Sequence, residues 1–88
     1  MKVLILYHPE SDHARGVLTF ERDFKTRTNS DVELVSLESS AGADKASVYD
    51  ITQYPALLVT TDTGELVQLW QGEILPLINE VAGYITTT

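Results

Sequence analysis

The chain has 88 residues, 43% of them hydrophobic and 22% charged, a composition that fits one packed domain over residues 1–88 and excludes a disordered tail. Thirteen acidic against six basic residues leave a formal charge of −7; phosphate contacts need a basic surface, so neither nucleic acid nor an anionic membrane is an expected partner. There is no cysteine, so disulfides and thiolate metal sites are excluded and stability must come from packing.

From the start of the chain, Met1 and Lys2 precede a continuous apolar run, Val3-Leu4-Ile5-Leu6-Tyr7, which predicts a strand buried on both faces. The run is too short for the hydrophobic region of a signal peptide, and no stretch approaches the roughly 20 apolar residues of a membrane span. A cytoplasmic location is the expectation. His8-Pro9-Glu10 breaks the strand. Ser11 then reads as the N-cap of a helix over about residues 12–27, with Asp12 well placed against its positive end. Ala14, Val17, Leu18, Glu21 and Phe24 recur at three- and four-residue steps and predict the core-facing stripe, with Arg15, Arg22, Asp23 and Lys25 mostly opposite. Thr28-Asn29-Ser30 closes the helix.

Residues 31–37 predict a second strand through Val32, Leu34, Val35 and Leu37. Ser39-Ser40-Ala41-Gly42 reads as a loop. A short helix at about 43–50 follows, packing through Ala46, Val48 and Tyr49. Pro55 opens a third strand, Ala56-Leu57-Leu58-Val59-Thr60. Asp62-Thr63-Gly64 is a turn in which Gly64 supplies a positive φ, and residues 65–70 return as the other arm of a hairpin. Gly72 ends it. A last helix is expected from near residue 74, with Pro76 in its first turn, where a missing N–H costs little. Its apolar stripe would be Ile74, Leu77, Ile78, Val81 and Ile85, and Thr86-Thr87-Thr88 should fray.

The order is therefore βαβαββα. A right-handed crossover makes the first two strands parallel, and the hairpin adds antiparallel ones. The expected architecture is α/β, a four-stranded mixed sheet flanked by three helices.

That order, with the segment Ala46-Ser47-Val48-Tyr49-Asp50-Ile51-Thr52-Gln53-Tyr54-Pro55-Ala56-Leu57-Leu58-Val59, resembles the thioredoxin-like superfamily, which includes thioredoxins and glutaredoxins. The segment is similar to that family's short helix ending in Tyr-x-Ile/Val, three further residues, then Pro-Thr and an apolar strand. Gly64-Glu65-Leu66-Val67 resembles its Gly-Glu-x-Val hairpin, and Trp70-Gln71-Gly72 its strand end and glycine before the final helix. The detailed likeness covers residues 46–85. It implies a cis peptide bond between Tyr54 and Pro55, at a turn that faces the site and offers the backbone of the preceding residue to an extended peptide. Taken without the resemblance, Pro55 reads as a trans proline that starts a strand.

The resemblance also implies a Cys-x-x-Cys at the start of the first helix. Ser11 and Ala14 stand there, or Glu10 and His13 in a register shifted by one. Neither register holds a sulfur, so the family's thiol–disulfide exchange does not transfer. The expectation is a redox-inactive thioredoxin-like domain that binds a protein or peptide through His8, Ser11, His13, Tyr54 and Pro55, with no catalytic residue, cofactor or metal. Two histidines at that mouth would make binding pH-dependent near about pH 6–7.

Competing chemistry is thinly supported. His8, Glu10, Asp12 and His13 fall within six residues, but two histidines across a strand-to-helix turn need not converge as His-x3-His on a helix does. Ser11 lacks the surroundings of a serine nucleophile. Tyr7, Tyr54 and Trp70 read first as packing aromatics and second as a stacking surface. Two alternatives stay open. One is a metal-dependent or acid–base enzyme using the His8 to His13 segment. The other is an assembly domain pairing through an edge strand at 31–37 or 65–70. Partner identity and oligomeric state are not legible in the sequence.

Overall fold

The computed structural model describes residues 1–72 and 74–85. Its elements are β1 (Lys2–Tyr7), α1 (Ala14–Thr28), β2 (Glu33–Ser36), α2 (Ser40–Val48), β3 (Ala56–Thr60), β4 (Leu66–Gln71) and α3 (Ile78–Ile85). The strands form a four-stranded sheet in the order β2-β1-β3-β4. β1 runs parallel to β2, with Leu6 beside Val35, and antiparallel to β3, with Leu6 opposite Ala56. β3 and β4 make the expected antiparallel hairpin. The predicted order and the mixed sheet are those observed.

The central position of β1 and β3 explains their unbroken apolar runs. Alternate residues of a strand face opposite sides, so both sides of a central strand need a cover. Val3, Ile5, Leu57 and Val59 face Val17, Phe20 and Phe24 of α1 and Val81 of α3. Leu4, Leu6, Ala56 and Leu58 face Ala46 of α2 and Ile51. Among the described residues no helix is long and apolar enough to cross a membrane.

Several boundaries and faces differ from expectation. The buried stripe of α1 is Ala14, Val17, Phe20 and Phe24, whereas Leu18 is 49% exposed and Glu21 only partly covered. With 3.6 residues per turn, Phe20 shares an arc with Val17 and Phe24, and Leu18 falls to its side. β2 is shorter than the predicted strand, although Val32 beside it is buried.

The segment expected to be a loop at residues 39–42 instead starts α2. Ser39 is its N-cap, the side-chain oxygen accepting a bond from Gly42 N–H at 3.0 Å. In α2, Ala46 is buried and Tyr49 packs beside it, but Val48 points to solvent.

The last helix begins at Ile78, and Pro76 precedes it rather than opening it. A proline disfavours helical backbone in the residue before it, so the helix cannot reach back through Leu75. Leu77 N–H is instead met by the Glu80 carboxylate at 3.2 Å. Ile74, 90% exposed, and Leu77 therefore leave the expected stripe, which keeps Ile78, Val81 and Ile85. The expected fraying of Thr86-Thr87-Thr88 lies outside the described residues.

Candidate functional site

The C-terminal end of β1 and the N-terminal end of β3 meet at one end of the sheet, because Leu6 lies opposite Ala56. That register brings His8 to the Tyr54–Pro55 peptide, which is cis. The His8 ring stands edge-on to Tyr54 at a centroid distance of 5.4 Å and 81°. Pro55 is fully buried below, and the Tyr54 hydroxyl donates to Ile51 O at 3.2 Å.

Residues 8–13 form a tight turn rather than the first turn of the helix. Ser11 N–H and Ser11 Oγ both donate to His8 O, at 3.1 and 2.6 Å. Ser11 is thus not the N-cap, as its place in the sequence suggests. The cap position is His13, whose side chain makes no cap bond. Its ring folds back instead, and Nε2 accepts a bond from His8 N–H at 3.1 Å. The two imidazoles lie 6.1 Å apart at 45°. All five residues singled out in the sequence therefore meet in one place, with His8 as the hub.

A sixth participant, Gln71, escapes sequence reasoning. Its Oε1 accepts from both Thr52 N–H at 3.1 Å and Gln53 N–H at 3.2 Å, while Gly72 N–H donates to Pro55 O at 3.2 Å. The end of β4 therefore clamps the loop that carries Tyr54. A glutamine at a strand end gives no local sign of this role. The predicted aromatic surface, by contrast, does not assemble. Tyr7 and Trp70 pack with the α1 and α3 layer, Trp70 edge-on to Tyr84 at 5.6 Å, whereas Tyr54 packs on the other side of the sheet.

No protein-family model matches the chain, and no curated protein matches it. Among solved structures, thioredoxin 1 from the thermophilic eubacterium Thermosipho africanus is similar to it with a TM-score of 0.69, over 97% of this chain and 90% of that one, at 12% identity. The chain has a thioredoxin-like fold. At that identity the likeness is one of architecture alone. This thioredoxin-like chain contains no cysteine, so its own side chains cannot form or break a disulfide.

What the thioredoxin-like scaffold holds at this end is a pair of neighbouring imidazoles. To accept from His8 N–H, His13 Nε2 must be unprotonated, which places its proton on Nδ1. Burial lowers the His13 pKa from its ordinary 6.5, the charge of His8 lowers it further, and Asp12 partly opposes both. A histidine with a lowered folded-state pKa binds fewer protons folded than unfolded. Its contribution to stability is therefore complete above about pH 6.5 and is lost as pH falls through the lowered value. NMR titration of the ring protons should place His13 below 6.5, and urea midpoints should fall more steeply on acidification in the wild type than in His13→Ala. Equal slopes in the two proteins would refute this assignment.

Among the described residues no group of three or more His, Asp or Glu side chains is placed to hold a metal ion. Glu10 and Asp12 are exposed and His13 Nε2 already has a partner. Ser11 Oγ donates to the backbone carbonyl of His8 rather than to an imidazole nitrogen, so its proton is not held by a base that could activate it.

Proposed function

We propose that this chain is a redox-inactive, non-catalytic binding module, which holds an extended segment of a protein or peptide across Tyr54 and Pro55, beside His8, Ser11 and His13. One observation carries the reading. Among the described residues no hydrogen bond engages the backbone N–H or C=O of Tyr54, although the loop around it is clamped by Gln71 and by Gly72. An extended ligand needs such a main-chain pair, held still and next to side chains that can select. The His8 ring against Tyr54 supplies one wall. The net charge of −7 favours a partner that is not itself acidic. The acid–base alternative has less support, because Ser11 and His13 are both tied to the His8 backbone.

Titration of isotope-labelled protein with a panel of extended peptides should move amide signals at residues 8–14 and 52–56 together. His8→Ala should weaken the tightest of them several-fold, since it removes the ring that walls the groove beside Tyr54. Shifts confined to other parts of the molecule would remove the reading.

A further inference from the structure

The end of the sheet away from His8 and Pro55 carries a different set of groups. Lys2 stands opposite Thr60 across β1 and β3, and Glu33 lies beside Leu4 across β2 and β1. Side chains alternate along a strand, so Lys2, Glu33 and Thr60 share the face on which Leu4, Val35 and Leu58 pack against Ala46 of α2. The helix leaves this corner uncovered. It ends at Val48, and the chain turns back at Asp50, whose φ is 56°. Between the end of α2 and the turn at 62–64 is a pocket of about 240 Å³, with Lys45 and Tyr49 in its wall. The Tyr49 hydroxyl donates to Gly64 O and ties that wall to the turn.

The charges around this pocket are not spent on one another. Among the described residues none of Lys2, Lys45 and Glu33 takes part in an ion pair, although Lys45 is half-buried; Asp62 pairs with the Met1 ammonium at 3.3 Å. Thr60 adds a hydroxyl. The residue is only 3% exposed, and among the described residues its Oγ1 makes no hydrogen bond, yet no fully buried side-chain oxygen or nitrogen lacks a partner. The hydroxyl therefore keeps an opening, and the pocket that Thr60 lines supplies it. A nearly buried hydroxyl without a partner is a site for an incoming polar atom.

We propose that this pocket binds a small α-amino acid as its zwitterion, the carboxylate held by Lys2, Lys45 and the Thr60 hydroxyl and the ammonium by Glu33. Unpaired groups of both signs stand together here, and a zwitterion satisfies both at once. A bare anion would meet Glu33, Asp62 and the overall charge of −7, whereas a bare cation would meet two lysines. Volume sets the size of the ligand. At about 30 Å³ for each water, 240 Å³ holds an amino acid with a short side chain; larger ligands take pockets of about 300 Å³ and more. The site lies at the opposite end of the sheet from Tyr54 and Pro55 and is independent of the peptide-binding reading.

Titration of isotope-labelled protein with L-serine tests it. Amide signals at residues 2–4, 33, 45–49 and 60–64 should move together and saturate, with a dissociation constant on the order of 1 mM for a ligand of so few atoms. Those at 8–14 and 52–56 should stay still. Acetate and methylammonium, each carrying half of the zwitterion, should bind roughly tenfold more weakly or worse. Lys45→Gln and Glu33→Gln, which keep side-chain length and remove charge, should each weaken serine roughly tenfold. Thr60→Val, which keeps the shape and loses the hydroxyl, should weaken it several-fold. Shifts that never saturate, acetate binding as tightly as serine, or Lys45→Gln binding serine like the wild type would overturn the proposal.

Discussion

Phe24→Ala is expected to destabilise the domain by about 3–5 kcal/mol, the range for emptying a large aromatic site in a core. Phe24 has no solvent exposure and sits in the layer where α1 meets β1 and β3, stacked on Phe20 at 5.8 Å. Small domains have only about 5–15 kcal/mol of stability in total. The loss is therefore a large fraction of what holds this chain together, and the melting temperature should fall by roughly 15 °C or more. Leu18→Ala, on the same helix but largely exposed, should change stability by no more than about 0.5 kcal/mol. Thermal and urea unfolding of the two variants checks both. A comparable loss in each would mean that α1 packs through a different face.

Gly42→Ala should destabilise by about 3 kcal/mol, at the upper end of the overpacking range. A Cβ at Gly42 would lie 2.0 Å from Ser36 O, 2.8 Å from Ser36 C and 3.1 Å from Leu37 Cα. All three are backbone atoms, so no side chain can turn aside. That backbone is also held in place: Leu37 N–H donates to Tyr7 O at 2.9 Å, and Ser36 O accepts from Ser39 Oγ at 2.6 Å. Relief requires α2 to move off the end of β2. The same substitution at Gly16 should have the opposite sign. Nothing lies within 4 Å of a Cβ there, and alanine in an open helical position is favoured by up to about 1 kcal/mol. Urea midpoints that move the same way in both variants would contradict this packing.

Where the sequence misleads, the reason is the same in each case. Ser11 has the chemistry and position of an N-cap, yet its hydroxyl goes to His8 O. Ser39 has the same chemistry in a stretch that reads as loop, and it caps α2. Both serines offer a donor and an acceptor to whatever backbone is near. The helix start is decided by which partner the surrounding fold brings close. Leu18 and Phe20 are both apolar and both compatible with a helix; only the direction from which the sheet approaches α1 buries one and exposes the other.

The sequence by itself determined the chemistry that is absent and the architecture that is present. Without cysteine there is no thiol exchange, whatever the fold. The unbroken apolar runs of β1 and β3, the Asp62-Thr63-Gly64 turn and the breaks at Pro9 and Pro55 are local signals carried by neighbouring residues, and these define the order of strands and helices. Tertiary structure alone decided the contacts between residues distant in the chain: the Gln71 amide on the loop at 52–53 and the His8 ring on Tyr54. Each joins segments that no periodicity relates, and each exists only because pairing in the sheet sets their register. The absence of cysteine is read from composition, whereas the site where His8 meets Tyr54 is read only from that register.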